Sequence, residues 1–126
     1  MPERTVYKYH TQGYTLSATA GGASANVIYT CPPNYNGTVR FLHISNSDNS
    51  TQNCSVQFYH AEDDEYHFIM NNTSLAGKSI LNLVDGGYFF MHAGDKIVAY
   101  SAASPASFDI LVSVEEEPAQ FTFTGA

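Results

Sequence analysis

The sequence contains no tryptophan, two cysteines and few basic side chains. Its 126 residues carry 5 Lys and Arg against 12 Asp and Glu, which gives a formal net charge of -7. A surface of this sign repels phosphate backbones and anionic lipid headgroups, so neither nucleic acid nor a membrane is expected as a partner. The start MPERTVYKYH has no apolar segment, and apolar runs such as YFFM are far too short to cross a bilayer. We therefore expect neither a secretion signal nor a membrane anchor.

The two cysteines, Cys31 and Cys54, are too few for a disulfide framework. No further ligands stand at the spacing of a zinc site. Each cysteine lies at the end of a predicted strand, so a bridge between them stays open. Two reduced, partly buried thiols are the favoured interpretation, because nothing in the sequence indicates export to an oxidising compartment.

Apolar and polar residues alternate along most of the chain, and no window keeps helical spacing over three turns. In SFDILVSVE the alternation places four apolar side chains on one face: Phe108, Ile110, Val112 and Val114. SVQFYH and EYHFIM flank the polar turn AEDDE, which predicts an antiparallel hairpin. TVRFLHIS is apolar on both faces, which predicts a central strand. YFFM is predicted to be central as well, unless one of its faces meets another subunit.

Further strands are predicted at TVYKYH, YTLSAT, NVIYTC, SILNLV and DKIVAYS, and turn residues separate them. Short strands with turn signals about every eight to twelve residues are typical of a sandwich or small barrel. The predicted fold is all-β, an antiparallel two-sheet β-sandwich of roughly eight to ten strands. It is expected to be jelly-roll-like, with extended terminal arms.

Both ends of the chain differ from this core. SATAGGASAN is rich in small residues and is expected to be flexible, which would leave the first strand loosely tied to the sandwich. Pro118 follows three glutamates and stops the preceding strand. We therefore divide the chain into an N-terminal strand or arm with a flexible loop (1–24), a sandwich core (25–117) and a C-terminal arm (118–126).

The aromatic residues of the two arms are the predicted partner-binding residues: Tyr7, Tyr9, Phe121 and Phe123. Phe121 and Phe123 alternate with threonines in EPAQFTFTGA, and an alternating segment of this kind is typical of a strand edge that needs a partner. The partner sheet can belong to a neighbouring chain, by β-augmentation, or to the same domain. The sequence leaves both possibilities open.

Two chemical alternatives arise at the turn AEDDE. Its four carboxylates lack the spacing of a calcium loop and are interpreted as a solvated hairpin tip. His60 and His67 could meet across the hairpin and, with Glu62 or Glu65, resemble a histidine–carboxylate metal centre. HAEDDEYH does not match the cupin pattern, and the sequence has no nucleophile motif or phosphate-binding loop. We therefore expect no catalytic residue, no metal and no cofactor.

The sequence is rich in other aromatic residues, with nine tyrosines and eight phenylalanines. Four tyrosines near predicted turns could form a sugar-binding platform: Tyr29, Tyr35, Tyr66 and Tyr88. Tyrosine is equally frequent in protein interfaces, because it combines a large rigid area with a polar tip. The sequence does not separate the two uses.

The order of four segments is informative: VIYTCPPNYNGTVRFLHISNSD, SVQFYHAEDDEYHFIMNN, LNLVDGGYFFMHAGDKIVAYS and FDILVSVEE. This order resembles the small all-β virion proteins of tailed bacteriophages, which include capsid decoration (cement) proteins and neck or tail accessory proteins. The resemblance covers roughly residues 25–116 and consists of strands and turns, not of a catalytic signature. It transfers no functional residue, because such proteins act through their surfaces.

The resemblance implies a non-enzymatic virion structural protein, assembled in the host cytoplasm. We expect a homo-oligomeric capsid decoration protein that bridges neighbouring shell subunits. Its partners would be copies of itself and other virion proteins, such as major capsid, neck or tail proteins. One alternative is a neck or tail-attached structural protein, and another is a carbohydrate-binding β-sandwich that binds a glycan on the host. A third is a small metal-dependent barrel enzyme centred on His60 and His67.

Overall fold

The computed structural model describes residues 8–84 and 86–119, which form strands joined by turns and loops. The strands are β1 (Lys8–Thr15), β2 (Asn26–Thr30), β3 (Tyr35–Asn46), β4 (Gln52–His60), β5 (Glu65–Leu75), β6 (Ile80–Asn82), β7 (Phe89–Met91), β8 (Lys96–Tyr100) and β9 (Phe108–Pro118). Two short 3-10 turns, Gly22–Ser24 and Pro105–Ser107, complete the regular structure of this part. Over the same residues we find no helix with the length and apolar character that a membrane span requires.

The strands form two antiparallel sheets that pack face to face. Sheet A has the order β1-β9-β3-β6, with β7 also paired to β3, and sheet B has the order β2-β8-β4-β5. The pairs β4–β5, β3 with β6 and β7, β2–β8 and β1–β9 are nested, as in one long hairpin rolled up on itself. This nesting is the connectivity of a jelly roll. The predicted all-β, jelly-roll-like, two-sheet sandwich is therefore confirmed.

The hydrophobic core lies between the sheets and follows the predicted alternation. In β9 the predicted inward residues are all buried: Phe108, Ile110, Val112 and Val114. β3 lies between β9 on one side and β6 and β7 on the other, so it is central, as predicted. β4 and β5 pair across the turn AEDDE, where Asp64 adopts a positive φ of 54° that Asp tolerates better than most residues.

The structure differs from the predicted first arm. β1 is one continuous strand, where the sequence pattern predicted two, and it pairs with β9 from Lys8↔Glu116 to Thr15↔Asp109. The loop that follows is held by side chains: Asn26 accepts hydrogen bonds from the N–H groups of Ser17 and Ala18. The described part of the range 1–24 is therefore an edge of the sandwich, because a strand with a full ladder of partners is not loosely tied.

β7 also differs from its prediction. The strand pairs with β3 and lies at the edge of sheet A, so it is not central. Met91 and Phe89 turn toward the core, whereas Phe90 is 62% exposed. β7 has three residues and buries one of its faces. Within the described residues, nothing covers its other face. The sequence analysis allowed that one face of YFFM contacts another subunit, and this contact stays a prediction.

Candidate interaction surface

The register of sheet A determines which side chains share its outer face. Residues paired across antiparallel strands point to the same side of a sheet. Glu115 lies between the buried Val114 and the largely buried Glu116 in β9, so Glu115 and its strand partners point outward. The row that results crosses the whole sheet: Tyr9 in β1, Glu115 in β9, Thr38 in β3 and Phe90 in β7.

Aromatic side chains surround one ion pair on this row. Arg40 donates two hydrogen bonds to Glu115 Oε1, from Nε at 3.2 Å and from Nη2 at 3.0 Å. Its guanidinium carbon lies 5.3 Å from the ring centroid of Tyr88, and the Tyr88 and Phe90 rings meet edge to face at 5.3 Å. Tyr9 is 75% exposed and Tyr88 56%. We call these five residues (Tyr9, Arg40, Tyr88, Phe90 and Glu115) the aromatic stripe.

Local backbone features position the stripe. The register between β3 and β9 shifts between Val39 and Phe41, so Arg40 occupies a β-bulge, which re-aims a side chain relative to the ladder. Tyr88 directly precedes β7 and lies two residues before Phe90, and the contact between their rings places both on the same side. Gly86, with φ of 75°, supplies the positive φ in the turn before them.

The stripe contributes little to folding. Arg40 is half exposed, and an ion pair of this kind stabilises a protein by at most about 1 kcal/mol. Large exposed aromatic rings gain nothing from folding, whereas they gain from burial against a partner. Tyrosine and arginine are also the residue types that dominate the binding energy of protein interfaces. The chemistry of the stripe therefore suits contact with another protein.

A second surface opens between the sheets, on the side where β5 faces β6 and β7. It is a cleft of about 340 Å³ lined by five apolar residues: Phe58, Ile69, Leu83, Phe89 and Phe90. The rings of Phe58 and Phe89 meet edge to face at 6.0 Å across its floor. Ile69 is 36% exposed, and Phe90 belongs to both the cleft and the stripe. We call this surface the apolar cleft.

The opposite side of the sandwich, between β1 and β2, is polar. A hollow of about 390 Å³ is lined by His10, Gln12, Tyr29, Thr30 and Glu116, together with the apolar Val27, Ile28 and Pro32. The Tyr29 hydroxyl donates a hydrogen bond to Glu116 Oε2, and His10 lies 5.7 Å from the Tyr29 ring. Burial, and next the hydrogen bond to Glu116, raise the pKa of Tyr29, so the phenol stays protonated as a donor. We call this region the polar side.

Both cysteines are buried free thiols. Burial raises the pKa of Cys31 to about 11, with the nearby Glu116 adding to the rise, and burial raises the pKa of Cys54 to about 12. Thr30 and Tyr59 both pair with Lys96, so Cys31 and Cys54 lie about six residues apart along the sheet. That separation is roughly 20 Å, and a disulfide tolerates about 7 Å between Cα atoms. This fold therefore excludes the bridge that the sequence left open.

One of the four predicted partner-binding residues is described by the structure. Tyr9 points outward from β1 and forms one end of the aromatic stripe. The other three, Tyr7, Phe121 and Phe123, lie outside the described residues. The segments that carry them are attached close together, because Lys8 pairs with Glu116 and Ala119 donates a backbone hydrogen bond to Asn34 at 2.8 Å. Both attachment points lie at the same end of sheet A, next to the stripe.

The two histidines of the proposed metal centre each contact their own carboxylate. His60 Nδ1 lies 2.8 Å from Asp63, whose hydrogen bond raises the pKa of His60, and His67 Nε2 lies 3.7 Å from Glu65. In the ladder His60 pairs with Glu65 and His67 pairs with Phe58. No group of three or more His, Cys, Asp or Glu side chains suited to a metal ion occurs in residues 8–84 and 86–119.

The hollow beside His60, which also includes His92, contains a buried aspartate with a structural task. Asp95 accepts hydrogen bonds from the N–H of Ala61 at 3.0 Å and from the N–H of His92 at 2.9 Å. These bonds join two turns at one end of the sandwich. The carboxylate therefore satisfies two backbone donors.

The four candidate platform tyrosines do not form one surface. Tyr29 is buried on the polar side, Tyr35 is partly buried, and Tyr88 is in the stripe. Tyr66 lies on the outer face of sheet B, where its ring is 4.7 Å from that of Tyr59. Lys96 lies 5.4 Å from the Tyr59 ring centroid, and the Tyr59 hydroxyl donates to Asp64 at 2.6 Å.

The comparisons with known proteins identify the fold but no family. No protein-family model matches the chain, and no curated protein matches it in sequence. One similar solved structure is of the Bacillus endospore appendages, which form disulfide-linked pili. It is 13% identical, with a TM-score of 0.53 over 92% of this chain and 89% of the other. A carbohydrate-binding module of family 29 is 10% identical over 96% of this chain and 99% of the other, with a TM-score of 0.26.

Proposed function

We propose that the protein is a non-enzymatic structural subunit that binds neighbouring protein chains through the aromatic stripe. The observation that supports this proposal is the exposure of three large aromatic side chains around one arginine, on the face of sheet A where both ends of the described chain lie. Such a cluster has the composition of an interface centre and little role in folding. A pilus protein with this fold suggests that such a sandwich can serve as the repeated unit of an assembly.

More specifically, we propose a virion protein of a tailed bacteriophage, and within that class a capsid decoration protein that bridges neighbouring shell subunits. The order of strands and turns over roughly residues 25–116 supports this assignment, as does the jelly roll, which is a frequent architecture of viral capsid proteins. The net charge of -7 favours a role at protein surfaces over contact with packaged nucleic acid. A neck or tail-attached component has the same support from the resemblance.

The stripe is tested by removing its aromatic rings in the full-length protein. We expect Tyr9→Ser with Tyr88→Ser to weaken self-association and binding to phage particles by at least 10-fold, since truncated interface anchors cost about 2 kcal/mol or more. The matched control is Tyr66→Ser on the outer face of sheet B, which should bind as the unchanged protein does. Sedimentation measures self-association and cosedimentation measures particle binding. Unchanged binding by the stripe variant would refute the proposal.

Particle imaging tests the more specific assignment. Electron microscopy of the particles should show this protein at regular positions on the shell if it is a decoration protein. A few copies at the neck or along the tail would support the alternative attachment instead. Absence from every particle would reject the virion assignment.

Glycan binding is a second candidate function, which one observation favours. Tyr59 and Tyr66 form a partly exposed aromatic pair beside Asp64 and Lys96, and a ring flanked by polar groups is a suitable sugar platform. Jelly rolls also occur among lectins. A glycan array would detect such binding, and Tyr66→Ala should abolish it. A blank array for the unchanged protein would eliminate this candidate.

A further inference from the structure

We propose that the apolar cleft binds the C-terminal segment of a second copy of this chain, with Phe121 and Phe123 as the inserted side chains. This inference rests on the proposed function, assembly with neighbouring chains, and names one contact of that assembly. It concerns a surface between the sheets, whereas the stripe covers the outer face of sheet A.

The walls of the cleft are sheet edges. β5 pairs with β4, and β7 pairs with β3; within the described residues neither strand has a partner on its other side. An edge strand presents unpaired N–H and C=O groups, which an extended segment can satisfy. The apolar floor between these edges then accepts side chains from that segment. The cleft therefore suits an extended peptide with apolar residues on one face.

The sequence QFTFTGA has this pattern. Phe121 and Phe123 are two residues apart, so in an extended segment both rings point to the same side and the intervening threonine points to the other. Residues 120–126 carry no charged side chain. None of the five residues that line the cleft is charged either. Insertion therefore buries apolar area without the cost of desolvating an unpaired charge.

Distance favours a second copy over the same chain. Ala119 is hydrogen-bonded to Asn34, and Phe89, at the wall of the cleft, pairs with Val39. Asn34 and Val39 are five residues apart along the strand direction, about 17 Å, and two strand spacings add about 10 Å sideways. Phe121 is two residues beyond Ala119 and reaches about 7 Å from it. A chain therefore cannot place both rings in its own cleft, because Phe121 does not reach it, whereas a neighbouring copy can place both.

Complementation between two full-length variants tests the proposal. The tail variant carries Phe121→Ser and Phe123→Ser and keeps its cleft, and the cleft variant carries Ile69→Arg and keeps its tail. We expect each variant alone to be monomeric by sedimentation and light scattering, under conditions in which the unchanged protein associates. An equimolar mixture should form a dimer with one copy of each, because only the mixture contains an intact tail and an intact cleft.

The neighbouring residue in β5 provides the matched control. Phe68 is 49% exposed and pairs with Gln57 on the outer face of sheet B, away from the cleft. Phe68→Arg introduces the same charge one residue away and should associate as the unchanged protein does. Circular dichroism melting of all variants checks that they are folded, which the exposure of Ile69 and Phe68 leads us to expect.

Several outcomes would overturn the inference. They are a mixture that stays monomeric, a cleft variant that associates normally, and an unchanged protein that is monomeric. If the tail and cleft variants both associate normally while the stripe variant does not, the cleft inference fails and the proposed function stands. If the unchanged protein binds neither itself nor particles, the proposed function itself fails.

Discussion

The sandwich has two hollows of similar volume on opposite sides, and their linings differ in polarity. The polar side, about 390 Å³, contains a tyrosine, a glutamate, a histidine and a glutamine that contact one another, beside the apolar Val27, Ile28 and Pro32. The apolar cleft, about 340 Å³, is lined by five apolar residues. Water can solvate the first lining, whereas the second gains free energy when it is covered. One side is therefore complete in the single chain, and the other is suited to a partner.

This contrast predicts different consequences of substitution. The buried polar atoms of the described side chains all have hydrogen-bond partners, so changes on the polar side leave a group unsatisfied and affect folding. The exposed residues of the cleft contribute little to the free energy of unfolding of the single chain. Changes there should affect association and leave folding nearly unchanged. The four predictions below test each half of this statement.

The largest expected effect concerns the thiol at the end of the polar side. Burial raises the pKa of Cys31 from 9.0 to about 11, which lowers its thiolate fraction near neutral pH about 100-fold. We therefore expect alkylation of Cys31 in the native protein to be at least about 100-fold slower than in the protein unfolded in urea. Peptide mapping by mass spectrometry measures the rate at each cysteine. Equal native and unfolded rates would show that the polar side is open to solvent.

The next largest effect is expected when the hydrogen bond between Tyr29 and Glu116 is removed. Tyr29→Phe removes the donor and leaves the Glu116 carboxylate, 6% exposed, without that partner. We expect the free energy of unfolding to fall by about 2 kcal/mol, the range for hydrogen bonds to charged groups. Urea denaturation measures this change, and Tyr88→Phe in the exposed stripe is the control with no expected loss.

A double variant distinguishes hydrogen bonding from packing. Tyr29→Phe with Glu116→Leu removes both partners, so no buried carboxylate is left unpaired. We expect this variant to recover most of the lost stability, because replacing both partners by apolar groups is close to neutral. A double variant less stable than Tyr29→Phe would mean that the polar side does not depend on this hydrogen bond.

Substitution in the cleft should have a smaller effect on stability. Phe90 is 62% exposed, so Phe90→Ser is expected to change the free energy of unfolding by less than about 0.5 kcal/mol. The same urea denaturation measures it, at a protein concentration low enough to keep the chain monomeric. A loss as large as that of Tyr29→Phe would mean that Phe90 belongs to the core and is not available to a partner.

The sequence predicted the local features of the fold better than the pairing of distant segments. Alternation identified β9 and its buried face, and the short turn AEDDE identified the pairing of β4 with β5, because these depend on period and on a short turn. The face of Met70 was predicted wrongly, because a register shift in the hairpin turns Met70 into the core while Phe68 stays exposed. The pairing of β1 with β9 joins residues about 100 positions apart, and period carries no information about a partner so distant. The described part of the arm that the sequence predicted to be loosely tied is therefore an edge strand in the structure.

The candidate surfaces were less accessible from sequence. Tyr9 was among the predicted partner-binding residues, because an aromatic residue in a terminal segment can be recognised from the sequence alone. The ion pair of Arg40 with Glu115 was missed, because it depends on long-range register and on the bulge at Arg40. The cleft joins residues of four separate segments, and its single sequence signal was YFFM, apolar on both faces. That pattern indicated an apolar residue on each face of the strand, but it could not tell a central core strand from an edge strand with an exposed apolar face.

The smallest expected effect is a pH dependence of stability that arises at His60, in the hairpin next to the cleft. His60 stacks near Phe58, which lines the cleft, and the hydrogen bond with Asp63 raises the pKa of His60 above its ordinary value of 6.5. Because the folded pKa exceeds the unfolded one, this contribution to stability is fully present below 6.5 and is lost as pH rises through the folded pKa. NMR titration of the His60 ring should show the raised pKa, and Asp63→Asn should lower it. If Asp63→Asn leaves the His60 titration unchanged, the contact with Asp63 is not formed in solution, and the hairpin that borders the cleft is less fixed than the structure indicates.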